Sequence, residues 1–230
     1  MHHATAQRFS DLCHSVDVSG DIVTEAWQEL LLHYSETHRF YHTLDHIDRM
    51  LGWLDSASAG HNSIEFAIWY HDVIYDPRSA QNESLSADFF RSGIGSHISP
   101  TLASDIRRLI LATDHRRHFS NTDDEALLVD IDLSILGESG DIYDDYSRDI
   151  RSEYAHVPDA EYAEGRRTVL SGFLERTIFT NVPFLTLDDI ARDNILREIT
   201  TLNLTWCEQD ATSNGGQRSS LNSGCPPRRG

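Results

Sequence analysis

The sequence predicts an all-α protein, a single-domain bundle of about eight to ten helices. Three observations carry this. Apolar residues recur at three- and four-residue spacing in one segment after another, while no stretch alternates apolar and polar residues in a β-branched run. The third is the central run Ile64-Glu65-Phe66-Ala67-Ile68-Trp69-Tyr70-His71-Asp72, too apolar for a solvated helix and therefore one buried on most sides.

Taken in order, residues 22–37 place Ile22, Val23, Ala26, Trp27, Leu30, Leu31 and Tyr34 on one helical face. Residues 43–54 repeat the pattern with Leu44, Ile47, Met50, Leu51 and Leu54, behind Thr43 as cap. The buried central helix gives way to a loop at Tyr75-Asp76-Pro77-Arg78-Ser79, marked by its proline and small polar residues. Residues 83–91 form the next helix, ended by Gly93-Ile94-Gly95. Ser99-Pro100 opens another, since proline suits the first helical position, with Leu102, Ile106, Leu109, Ile110 and Leu111 on its core face. Helices are further expected over 124–136, 141–156, 160–179 and 187–204. Residues 1–206 read as one domain. From Cys207 onward Ser, Gly, Asn, Pro and Arg dominate, so 207–230 is expected to be a disordered tail.

The formal net charge of −18 argues against a nucleic-acid or anionic-membrane surface, because phosphate backbones demand clustered Lys and Arg. No apolar run approaches the ~18 residues of a membrane span. Cys13, Cys207 and Cys225 are far apart and form no C-x-x-C, which suggests neither a disulfide framework nor a cysteine zinc site. The first residues lack the basic and apolar regions of a signal peptide, and a reducing cytoplasm is expected.

Chemistry concentrates in a few polar residues set into apolar surroundings. Burying His71 and Asp72 without a partner would cost roughly 2–7 kcal/mol for each unpaired polar group and more for the ionised carboxylate. A divalent cation would satisfy both at once. In Arg39-Phe40-Tyr41-His42-Thr43-Leu44-Asp45-His46-Ile47, His42 and His46 are four apart, a spacing that on a helix suits two imidazoles on one metal. Thr43 stands where an H-E-x-x-H protease has its glutamate, and that chemistry is excluded. Asp130 and Asp132 lie in another apolar helix and point about 200° apart, so one is a candidate ligand and the other pairs or caps. His115 and His118 are three apart at what reads as a helix end. The dense polar group from Tyr146 to Tyr154, which includes Arg148, Arg151 and Glu153, reads as a structural ion-pair seam. P-loop, serine-hydrolase and dinucleotide motifs are absent.

In chain order, His42, His71-Asp72 and an aspartate in an apolar helix make an H…HD…D pattern, and with it the chain resembles the HD-domain superfamily of metal-dependent phosphohydrolases. It is most similar to a bacterial branch carrying R-x-Y-H-x-L-x-H-I, H-D-x-x-Y with N-E-x-x-S-A, A-T-x-H and D-x-D-L-S-I-L-G. Here these fall at Arg39 to Ile47, His71 to Tyr75 with Asn82 to Ala87, Ala112 to His115, and Asp130 to Gly137. The resemblance spans residues 20–205 and implies an HD-type helical domain. It implies one divalent ion, Mn, Fe, Co, Ni, Zn or Mg, on His42, His71, Asp72 and Asp132, with Asp130 the fallback for the last ligand. His46 matches a position usually apolar in other HD proteins, which makes it structural or outside the first ring of ligands. His115 and His118 fall where relatives with a second metal recruit histidines.

The implied activity is hydrolysis of a phosphomonoester of a small metabolite, a nucleoside 5′-monophosphate above all. A bound cation lowers the pKa of water toward about 7 and holds a phosphoryl oxygen. Arg39, His115 and Arg116 are the candidates to meet the charge on that group. Related 5′-nucleotidases carry a glutamate close behind the HD pair; here Tyr75 stands there, so Glu83 is the substitute proton carrier, acting with Asp72. Two alternatives differ in kind: a diiron oxygenase, and a metal-dependent regulatory or ligand-binding module without turnover.

Overall fold

The computed structural model describes residues 3–57, 62–116 and 122–213, with side chains through 203, and every regular element among them is helical. The fold is built round α4 (Asn62–Tyr70), because that helix has no polar face to present to water. Ile64, Phe66, Ala67, Ile68 and Trp69 are all 0% exposed, so α4 is enclosed on most sides, with Glu65 at its edge paired to Arg8. Each such side chain contributes about 1.5–3 kcal/mol by leaving water. Enclosing it are α1 (His3–His14), α3 (Leu44–Ser56), α5 (Asn82–Ser92), α6 (Pro100–Ala112) and α7 (Asp123–Asp132). Phe9 of α1 meets Trp69 edge-on at 5.4 Å, and Trp27 of α2 (Gly20–Tyr34) does so at 6.1 Å. The Tyr34 hydroxyl donates to the Trp69 carbonyl at 3.0 Å.

Several boundaries differ from the periodicity for identifiable reasons. The α1 segment was not expected; it closes with Asp17 in the left-handed region at φ 63°, where Val18 N–H reaches back to Cys13 O. The central helix stops at Tyr70, so His71 and Asp72 stand in a turn just past its end rather than inside it. Arg39 takes the carbonyls of Asp72 and Val73 there, which supplies the donors that a further helical turn would have supplied. Ser99 caps α6 through Leu102 N–H, with Pro100 at the first position as expected. After α7 the chain tightens into a 3-10 segment, Leu133–Gly137.

The second half packs α8 (Gly140–Glu153) and α11 (Asp188–Ser213) against that 3-10 segment, with α9 (Asp159–Leu174) on α11 and the short α10 (Val182–Leu185) in the connection between them. Helix α9 ends at Leu174, before the expected 179, because Arg192 donates to the carbonyls of Leu174 and Arg176. Ile178 and Phe179 remain buried in the connection that follows. Helix α11 runs past Cys207 to Ser213, and the rest of the tail lies outside the described residues. No helix among the described residues is long and apolar enough to cross a membrane.

Arg166 and Glu198 tie α9 to α11 in a nearly dry ion pair at 2.8 Å, closed by the Tyr143 hydroxyl at 2.6 Å. Burial alone would raise the Glu198 carboxyl, but the hydrogen bond and charge of Arg166 outweigh it and hold it below the ordinary glutamate range. A depressed folded pKa means stability present above the unfolded value, about 4.3, and lost as pH falls through the folded one. Urea unfolding followed down the acid limb should therefore show a shallower loss of stability in Glu198→Gln than in wild type; equal slopes would contradict this.

Candidate metal centre

Three stretches of chain deliver the candidate side chains. His46 lies in the first turn of α3, His71 and Asp72 in the turn behind α4, and Asp132 at the last position of α7. The packing of α3 and α4 on α7 brings these ends together. His46 Nε2 lies 3.3 Å from both His71 Nε2 and Asp132 Oδ1. Asp72 Oδ2 is 3.0 Å from His71 Nε2 and 3.9 Å from the Nε2 atoms of both His42 and His46. His115 Nε2 meets the other Asp132 oxygen, Oδ2, at 3.0 Å. His46 and His71 are buried at 2% and 1%, so the cluster opens on the side of His42, Asp72 and His115.

The donor set fits a divalent cation. Nitrogen and oxygen ligands about 2.0–2.2 Å from one ion lie about 3.0–3.5 Å from each other; His46, His71 and Asp132 stand 3.3 to 3.8 Å apart, and Asp72 flanks them at 3.0 Å from His71 and 3.9 Å from His46. Nδ1 of His71 is 2.9 Å from the Ile68 carbonyl, an acceptor only, so that nitrogen carries a proton and Nε2 is the one turned inward, where a cation would displace its proton. The electrostatics agree. Burial would raise Asp72, but His71 and His42 outweigh it and hold it well below the usual carboxylate range. Burial would lower His71, yet Asp72 lifts it to about 9, while burial does lower His46 and keeps it neutral. A cation would take the place of the proton that now holds these groups together.

The two aspartates of α7 divide the roles. Asp130 turns away and accepts from the amides of Thr180 and Asn181 at 2.9 and 2.6 Å and from Asn181 Nδ2 at 2.7 Å, fixing the approach to α10. Asp132 faces the histidines. We expect Asp130→Ala to lose about 1 kcal/mol, the cost of orphaning partly buried donors, with cation uptake unchanged; denaturant midpoints with calorimetric titration of Mn²⁺ on the same samples check both.

The remaining expectations fare differently. Arg39, expected to face a phosphoryl group, is a clamp: its side chain is 0% exposed, and it donates to the carbonyls of His42, Asp72 and Val73 and to Glu36. Arg116, 58% exposed, pairs at the surface with Asp114 at 2.7 Å, with the Ala80 carbonyl and with Glu83 at 3.4 Å. Glu83 in the first turn of α5 correspondingly faces Arg116 and not the imidazoles. His115, expected to touch substrate, is drawn onto Asp132, and His118 lies outside the described residues. His42 precedes α3 instead of sharing a helical face with His46, though the rings still approach to 5.9 Å. His46, expected beside the site, stands within it.

Sequence reasoning passed over Glu153, read as part of an ion-pair seam. It receives His42 Nδ1 at 2.7 Å, and although burial would raise it, that bond and neighbouring amides hold its carboxyl down at about 2. No local pattern flags a residue 111 positions from its partner. No protein-family model, curated protein or solved structure matches the chain.

Proposed function

We propose that this chain is a metal-dependent phosphohydrolase of the HD-domain type, cleaving phosphomonoesters of small metabolites, with nucleoside 5′-monophosphates as the substrate class. One observation carries the reading: two buried imidazole nitrogens and the Asp132 carboxylate lie 3.3–3.8 Å from one another, with the Asp72 carboxylate 3.0 Å from His71, all brought from three separate stretches of chain. A cation there would supply a Lewis acid for the phosphoryl oxygen and an activated water. His42, His46, His71, Asp72 and Asp132 would hold it. His115, the most exposed member of the group at 35%, would stay on Asp132 Oδ2 and orient that carboxylate from the open side. Asp72, also at that side, is the carboxylate nearest to incoming water. A net charge of −18 makes the cation the chief attraction for a phosphate, since Arg39 is engaged internally and Arg116 is already paired with Asp114 and Glu83.

The buried free thiol of Cys13, pushed up to about 12 by burial, is in keeping with a cytoplasmic protein. A phosphate-release screen over nucleoside monophosphates and sugar phosphates, run in turn with Mn²⁺, Co²⁺, Mg²⁺, Ni²⁺ and Zn²⁺, tests the proposal; no turnover under any pairing would leave a regulatory module as the better account. Because Asp132 turns its two oxygens to different nitrogens, His46 and His115, a two-metal site has a specific basis. Two irons per chain in anaerobically purified protein would favour the diiron oxygenase instead.

A further inference from the structure

Glu153 ends α8 with its side chain wholly inside the protein, yet no arginine or lysine pairs with it among the described residues. Its charge is met by five hydrogen-bond donors instead. Oε1 accepts from three consecutive amides, Phe40, Tyr41 and His42, at 2.8, 2.8 and 3.0 Å. Oε2 accepts from His42 Nδ1 at 2.7 Å and from the Tyr75 hydroxyl at 2.8 Å. The Tyr75 ring also lies over the His42 ring, 4.2 Å between centroids and tilted by 30°. Each of these contacts removes a freedom of His42: the amides fix its backbone, Tyr75 limits rotation of its ring, and the carboxylate selects which nitrogen carries the proton.

We infer that Glu153, with Tyr75, is the positioning pair of the metal site, holding the His42 proton on Nδ1 so that the Nε2 lone pair faces Asp72 and the cation position. This rests on the metal-site reading above. An ionised carboxylate is the group required, because it alone can accept from the amides on one oxygen and from the imidazole and the phenol on the other. A glutamine offers one accepting oxygen, and its NH₂ would oppose either the three amides or the imidazole N–H. The position that related enzymes fill with a catalytic glutamate thus serves here to hold a distant one.

The test reads the proton directly. ¹⁵N–¹H correlation spectra of the histidine rings in metal-free protein, taken above the imidazole titration range, should show His42 as the Nδ1–H tautomer in wild type and as a mixture or the opposite tautomer in Glu153→Gln. Zn²⁺ affinity of Glu153→Gln should fall about 10–100-fold, and that of Tyr75→Phe by less than about 10-fold. A wild-type His42 protonated on Nε2 overturns the inference without need of any variant, which keeps it decidable if Glu153→Gln does not fold. So does a Glu153→Gln that keeps both the wild-type tautomer and the wild-type Zn²⁺ affinity. A wild-type protein that takes up no Zn²⁺ at all is a separate failure: it overturns the cation reading, and the inference with it.

Discussion

Asp132→Asn should abolish cation uptake and phosphate release together, while the helical content of the chain is retained. The substitution keeps the shape of the side chain but removes the negative charge that faces three imidazoles, at 3.3 Å from His46, 3.8 Å from His71 and 3.0 Å from His115. Losing a group that merely orients a ligand costs 10–100-fold in affinity or activity, so losing a facing carboxylate should cost more than about 100-fold. Titration calorimetry with Mn²⁺ and a malachite-green phosphate assay on the same preparation check it. Asp72→Ala separates the phosphohydrolase from the regulatory module. In an enzyme it removes turnover, whereas in a regulatory module it should leave affinity for the phosphorylated ligand largely intact.

The second large effect concerns Arg39. As a substrate donor its removal would raise KM and leave stability alone. As the clamp seen here its loss orphans the carbonyls of His42, Asp72 and Val73, buried or partly so, and removes the guanidinium from Glu36. We expect Arg39→Ala to lower stability by about 3–5 kcal/mol, because each buried acceptor left without a donor costs about 1–3 kcal/mol. Arg39→Lys should recover only part, since an ammonium is a point charge and cannot fork across carbonyls from two segments. Urea midpoints of the two variants decide the matter. A wild-type midpoint for Arg39→Ala, with an altered KM, would restore the substrate role.

These two residues also show what was legible beforehand. Side chains whose partners are other side chains in apolar settings leave a trace in sequence: His71, Asp72 and Asp132 stand out because a polar residue in an apolar run requires an explanation. The division between Asp130 and Asp132 was legible too, as two residues about 200° apart on a helix cannot share a neighbour. Arg39 was misread because its partners are backbone carbonyls, which every residue has and no pattern marks. Glu153 escaped because three of its five donors are amides, and because it sits among charged neighbours on α8 that pair locally. The end of α4 followed the same rule: nothing in Tyr70-His71-Asp72 stops a helix, and the stop comes from a guanidinium more than thirty positions upstream, 33 from Asp72.

The enclosure of α4 on most sides has a consequence for ion choice. The turn carrying His71 and Asp72 is anchored to a helix that cannot shift without disturbing the tryptophan and phenylalanine packing around it, so the gap between the facing atoms is set by the interior rather than by a pliable loop. Calcium, which prefers oxygen neighbours at about 2.3–2.6 Å and six to eight of them, would have to spread a nitrogen-rich cage braced from within. Smaller ions content with a mixed nitrogen and oxygen shell face no such resistance, and size selection of this kind needs no gate.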